Sequence, residues 1–216
     1  MRWSYARGSG GTPVKNSVRV IVFSIALAVV CSALLAGVSL FTAPFRNANE
    51  KAEEVHNILG ALNAQIPAEP SAAQLLDIFE KQVEVVDRSG ISLYEFRPGG
   101  GGNIEAIAVP VKGPGLWGPI EGVVALEPDL ETIRGVRFFK QEETPGLGGE
   151  IGALWFQEQF AGKKLRSADG KPGFRILKPS AETDINSVDG ITGATMTSDK
   201  VAAIMDSLAA MLEKVR

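Results

Sequence analysis

One cysteine and one histidine among 216 residues leave little room for several common chemistries. Cys31 has no partner cysteine, so no intrachain disulfide framework can form, and no multi-cysteine iron–sulfur or zinc site can be built from this chain by itself. His56 is the only histidine, which excludes metal ligation by two histidines; it falls in a polar stretch and is expected on a solvated helix face. Acidic residues are missing from the first 19 positions, where Arg2, Arg7, Lys15 and Arg19 stand unopposed. No internal repeat is present, and Gly99–Gly102 lacks the following Lys-Ser/Thr that a phosphate-cradling loop requires, so it is expected to be a loop tip.

Charge is missing altogether from Val20 to Phe41, 22 residues that are small or apolar apart from a few hydroxyls. At 1.5 Å per residue such a run crosses a hydrocarbon core of about 30 Å. A cleaved signal peptide would carry an apolar region of only about 7–15 residues before a small-residue cleavage site. This run is longer and no Ala-x-Ala site follows it, so a retained transmembrane helix is expected. Val29-Val30 before Cys31 does not resemble a lipidation box, and the thiol is expected to be buried in the span. Basic residues stay on the cytoplasmic side. The N-terminus is therefore expected inside, in contact with membrane lipid beyond it, and the remainder outside, which in a bacterium is the periplasmic face of the inner membrane. Removing the four leading basic residues from 22 leaves 18 against 25 acids, a charge of −7 for the outer part. Such an acidic part has no nucleic-acid footprint.

Beyond the span, Asn47–Leu62 has helical spacing, Gln65–Pro70 breaks it, and Ser71-Ala72-Ala73-Gln74 is a capping-box pattern that predicts a second helix. Val83–Val86 and Ile91–Phe96 flank Asp87-Arg88-Ser89-Gly90 as a hairpin. Further strands are predicted over Ile104–Val111, Gly122–Leu126, Ile133–Lys140 and Phe174–Leu177, with a helix over Gly149–Phe160 that carries Leu154 and a core Trp155. Val201, Ile204, Met205, Leu208, Leu212 and Val215 form one apolar stripe of a terminal helix, with Thr197 or Ser198 as its N-cap. Helices, a run of strands and a terminal helix make an α+β fold; a dinucleotide fold is not expected.

Just ahead of the last helix stands Asp189-Gly190-Ile191-Thr192-Gly193-Ala194-Thr195-Met196. A threonine hydroxyl flanked by Gly193 and Ala194 lets a phosphate approach the backbone, where the open N–H groups and dipole of a helix start favour an anion. The same residues also read as a turn before a capped helix, with Asp189 either a turn residue or a group that orients the hydroxyl. Glu143-Thr144-Pro145-Gly146-Leu147-Gly148-Gly149-Glu150 holds a restrained proline between flexible glycines. It is either a strand-to-helix connection or backbone held close to a planar ring.

The first segment resembles the signature Asp-Gly-x-(Ser/Thr)-Gly-Ala-Thr of the FMN-binding domain family, and the second resembles another hallmark of that family. A third stretch, Gly115-Leu116-Trp117-Gly118 with Gly122–Leu126, is similar to the C-subunit family of sodium-translocating NADH:quinone oxidoreductases. The Rnf-complex G subunits share the first two motifs, while Gly-Leu-Trp and the Gly-Gly-Glu ending of the second are more similar to the C-subunit family. The resemblance implies FMN esterified through its phosphate to Thr195, by a flavin transferase that uses FAD as donor. It implies flavin contacts from Thr144, Gly146, Leu147 and Gly148, from Glu143, from Leu116 and Trp117, and from Thr192, Gly193 and Ala194; Lys163, Lys164 and Lys178 are further candidates for steadying the phosphate. No residue is expected to be catalytic in turnover and no metal is expected. Gln141 stands where many members carry histidine. The implied role is electron transfer to quinone alongside other membrane subunits of the NADH:quinone oxidoreductase, with an Rnf-type subunit or a binding and assembly module as alternatives. The expected layout is a leader over 1–19, a transmembrane helix over 20–41, a helical connector over 42–82 and a mixed-sheet FMN-binding domain over 83–216.

Overall fold

In the computed structural model, the described residues are 13–167, 169–171 and 173–215. Arg2, Arg7 and Gly8–Gly11 of the expected leader lie outside them, as does the side chain of Lys15. A proline is tolerated in the first helical turn, where its missing N–H would have no partner, and helix α1 begins there, running Pro13–Ala61. Residues 13–19 of the expected leader are therefore helical. The expected span and the Asn47–Leu62 helix are also one helix, since Pro44 removes a hydrogen bond inside it without ending it. By length and composition this helix can cross a membrane. Cys31 is on its exposed surface, not buried by protein. Residues up to Asn49 form one compact unit, and the chain from Glu50 forms a second.

Within the second unit, the chain leaves α1 through Asn63, whose φ is +57°. Helix α2, Ala72–Gln82, then starts with the predicted capping box: the Gln74 N–H donates to Ser71 Oγ at 3.3 Å and the Ser71 N–H to Gln74 Oε1 at 2.8 Å. Five strands follow, β1 Val83–Arg88, β2 Ile91–Phe96, β3 Ala106–Pro114, β4 Pro119–Leu126 and β5 Ile133–Lys140. They pair in sequence order as an antiparallel meander. Ser89 and Gly90, at φ +57° and +79°, make the tight turn between β1 and β2.

This sheet is covered on both faces, which is why β3 reads as a nearly unbroken apolar run. Ala106, Ala108, Val123 and Ala125 face Val55, Ile58, Leu59 and Leu62 of α1 and Leu75 of α2. The alanines let the helices come close, and at Gly135 a Cβ would stand 2.6 Å from the Ala61 carbonyl oxygen. Alternate residues Ile107, Val109, Val111, Val124 and Val136 point the other way. There they meet Val201, Ile204, Met205 and Leu208 of helix α4, Thr195–Leu212.

The expected helix over Gly149–Phe160 is instead three short pieces: a 3-10 turn Gly148–Gly152, helix α3 Leu154–Gln157 and a 3-10 turn Glu158–Phe160. The broken spacing turns Ile151, Phe156 and Phe160 into the core and leaves Leu154 and Trp155 exposed. Trp155, expected in the core, instead donates its indole N–H to Glu150 Oε2 at 3.3 Å. Strand β6, Arg175–Leu177, pairs in parallel with β7, Ser187–Asp189, a three-residue strand that local pattern did not reveal. The expected mixture of pairings is thus divided between two sheets. Gly113–Gly118 has Gly-x-Gly-x-x-Gly spacing, yet it lies in the β3–β4 hairpin and not at a strand-to-helix turn, so it lacks the context of a dinucleotide site.

Phe160 is fully buried, with ring centroids of Phe138, Phe156 and Phe174 at 6.1, 5.4 and 5.2 Å. Phe160→Ala is expected to cost about 3–5 kcal/mol. Urea unfolding of the full chain in detergent, followed by near-ultraviolet circular dichroism, should show the lowered midpoint.

Candidate functional site

Three connections converge at one end of the sheet: the β3–β4 hairpin, the loop after β5 and the turn between β7 and α4. A buried carboxylate joins them. Glu143 Oε1 accepts the backbone N–H groups of Leu116 at 2.7 Å and Trp117 at 3.1 Å, while Oε2 accepts the Thr197 hydroxyl at 2.5 Å. Burial opposes ionisation of Glu143, but the bonds from Thr197, Trp117 and Leu116 outweigh it and hold the carboxyl below the ordinary glutamate value. Two glycines make space for it. A Cβ on Gly115 would stand 2.5 Å from Glu143 Oε1, and one on Gly148 would stand 2.5 Å from Thr197 Oγ1 and 2.9 Å from Glu143 Oε2.

The start of α4 is set by the turn before it. Gly190 fits under β6, where a Cβ would approach the Leu177 carbonyl oxygen to 2.2 Å, and Gly193 adopts φ +76°. The helix then begins at Thr195, and its N-cap Ala194 gives no side-chain hydrogen bond. The expectation of Thr197 or Ser198 as cap is therefore corrected: both lie inside the first turn and are buried. Thr197 is committed to Glu143, and the Ser198 N–H donates to Ala194 O at 2.9 Å. Among the described residues no side chain caps this end, so the N–H groups of Thr195, Met196 and Thr197 are open to an external acceptor.

Leu116, Trp117, Glu143, Thr144, Leu147, Gly148, Gly193, Ala194 and Thr195 line one cleft of about 230 Å³. Nine of the eleven residues expected around a flavin are thus brought together. Gly146, at φ +74°, shapes the loop from outside the lining, and Thr192 is exposed beside it. Met196 and Thr197 also line the cleft. Sequence reasoning missed them as site residues, although their places in the first turn after Thr195 were a usable signal. Thr195 is exposed, whereas Thr197 is 2% exposed. Asp189 does not reach the cleft. Its N–H donates to Gln159 Oε1 at 2.9 Å and its Oδ1 accepts the Ser180 N–H at 2.8 Å, which leaves it the turn-holding role. Lys163, Lys164 and Lys178 are not in the lining, and Lys163 donates to the Asp184 carbonyl at 2.7 Å. Among the described residues no cluster suited to a metal occurs. A larger cleft of about 520 Å³, beside Glu53, Glu54, Lys112 and Lys140, holds none of the expected site residues.

An exposed hydroxyl at an uncapped helix start, opposite an apolar wall, is an arrangement suited to an esterified phosphate with a flat ring beside it. Residues 115–210 match the FMN-binding domain family. That segment contains all three converging connections. The C subunit of the Na(+)-translocating NADH-quinone reductase of Vibrio campbellii is 33% identical over 158 residues, covering 73% of this chain and 60% of the relative. The same subunit of Neisseria meningitidis serogroup A is 43% identical over 100 residues, covering 46% of this chain and 39% of the relative. The chain thus spans between 39% and 60% of the length of these two relatives. Among solved structures, the C subunit of the reductase from Parabacteroides distasonis superposes with a TM-score of 0.67 at 25% identity, over 79% of this chain and 94% of that one. NqrC from Shewanella oneidensis shares the fold with a TM-score of 0.65 at 23% identity, over 76% and 99%.

Because its folded pKa is depressed, Glu143 contributes stability that is present above its ordinary value of 4.5 and is lost as pH falls through the lower folded value. Glu143→Gln should lower stability by about 2 kcal/mol at neutral pH. Chemical denaturation across pH 3–7 should show the gap to the unaltered chain narrowing below about pH 4.5.

Proposed function

We propose that this chain is a membrane-anchored electron-transfer protein with FMN on Thr195, working as one subunit within a sodium-pumping NADH:quinone oxidoreductase. The observation that carries the proposal is the exposed Thr195 hydroxyl at the open N-terminus of α4, inside the cleft faced by the Glu143–Gly148 loop. The match to the FMN-binding domain family and the names of the relatives support it.

The residues present fit the cofactor. Thr195 would bear the phosphoester, and the first-turn N–H groups would meet the phosphate charge. Leu116, Trp117, Thr144 and Leu147 would flank the ring. At about 230 Å³ the cleft is smaller than the roughly 300–1,000 Å³ of pockets that enclose a ligand, so a bound flavin would keep an exposed edge for electron exchange. FMN supplies the redox chemistry; the chain supplies position and electrostatics. Threonine is a weak nucleophile at neutral pH, so attachment would need a flavin transferase that splits FAD, joins FMN to Thr195 Oγ and releases AMP. Of the hydroxyls in the first turn, Thr197 and Ser198 are buried, which would direct that enzyme to Thr195.

Helix α1 would anchor the protein in the bacterial inner membrane, with the N-terminus cytoplasmic and the second unit periplasmic. Its apolar run carries no intramembrane charge with which to build an ion path, so sodium movement would belong to the other subunits. An Rnf-type role is the second reading, because the Glu143–Glu150 and Asp189–Thr195 motifs are common to both. Subunits that co-purify in detergent distinguish them.

Produced with a flavin transferase, the denatured chain should fluoresce yellow-green and gain the mass of an esterified FMN. Thr195→Ala should lose both, and Thr197→Ser should keep both. Fluorescence that survives Thr195→Ala would refute the attachment site, and a chain that takes no flavin would leave only a binding or assembly role.

A further inference from the structure

Among the described residues eleven line the Thr195 cleft, and of these Glu143 alone is ionisable. Among the described residues no lysine or arginine stands in the lining to neutralise it. Its three hydrogen bonds all come from neutral donors, the N–H groups of Leu116 and Trp117 and the hydroxyl of Thr197. These bonds stabilise the charged carboxylate without cancelling its field. The group is 5% exposed, so water screens it poorly. The charge is held in place from both sides, by the β3–β4 hairpin through Oε1 and by α4, two residues beyond Thr195, through Oε2. Neither oxygen can swing away without breaking a bond.

We infer that Glu143 is a positioning residue that also lowers the reduction potential of the cofactor in this cleft, by fixing in its wall one negative charge that no described side-chain cation in the lining neutralises. The inference rests on the proposed attachment of FMN at Thr195. An electron delivered to that FMN brings a negative charge into the cleft unless a proton follows it. A permanent carboxylate in the wall makes that addition less favourable, and removing the carboxylate makes it more favourable. A carrier built this way holds its electron less tightly and passes it on more readily than the same cleft with a neutral wall.

The test is a spectroelectrochemical titration of the full chain in detergent, loaded by its transferase, with electrons supplied by an electrode through a soluble mediator. Glu143→Gln keeps the shape and an acceptor oxygen while removing the charge. It should favour one-electron addition at least tenfold, a rise of about 59 mV. Glu143→Asp keeps the charge and should stay within threefold of the unaltered chain. A loaded Glu143→Gln chain with an unchanged potential overturns this inference alone. So does a tenfold rise in Glu143→Asp, which decides the matter should the glutamine variant fail to fold, because the charge is kept there and that shift would come from disturbed packing. An unaltered chain that takes no flavin overturns both this inference and the reading beneath it.

Discussion

A single buried carboxylate holds the candidate site together. Glu143 ties the Leu116–Trp117 hairpin, its own loop and the first turn of α4 with three hydrogen bonds. Buried charge is costly unless its partners are in place, so each of the three segments is held by the need to satisfy it. Gly115 and Gly148 belong to the same constraint, because a Cβ at either would occupy the space of the carboxylate or of its threonine partner. Glycines that look like loop flexibility in the sequence thus work here as close-packing residues.

The sheet supplies the rigidity on which this arrangement depends. Its central strands β3 and β4 are buried on both faces, by the end of α1 and by α2 on one side and by α4 with the Ile151–Phe160 segment on the other. The hairpin that carries Trp117 and the loop that carries Glu143 leave the same end of adjacent, well-packed strands. Trp117 itself is 70% exposed. A large aromatic held at the rim of a cleft by its backbone, and not by burial of its ring, is free to pack against whatever enters the cleft.

Much of this was legible in the sequence where local chemistry decides. The long uncharged run, the Ser71–Gln74 capping box, the Ser89-Gly90 turn and the exact bounds of β5 follow from propensity and period alone. The three motifs also marked nine residues that the fold gathers into one cleft. The misses have physical causes. The apolar residues of 149–160 suggest a regular helix, but the chain meets the core through short turns, which exposes Trp155 and buries Phe156 and Phe160. Strand β7 is three residues long and exists because β6 pairs with it. Thr197 looked like a cap because caps are judged by neighbours in sequence, and its partner lies 54 positions away.

The amino-acid sequence by itself determined the membrane-length helix, the α+β class and the presence of a threonine among small residues before a helix, since each depends on contacts within a few residues. Only the tertiary structure decided which threonine is open and which is buried, and that Glu143 bridges three segments. Those outcomes depend on carboxylate, hydroxyl and backbone groups far apart in the chain meeting at one end of a sheet, and no local pattern encodes that distance.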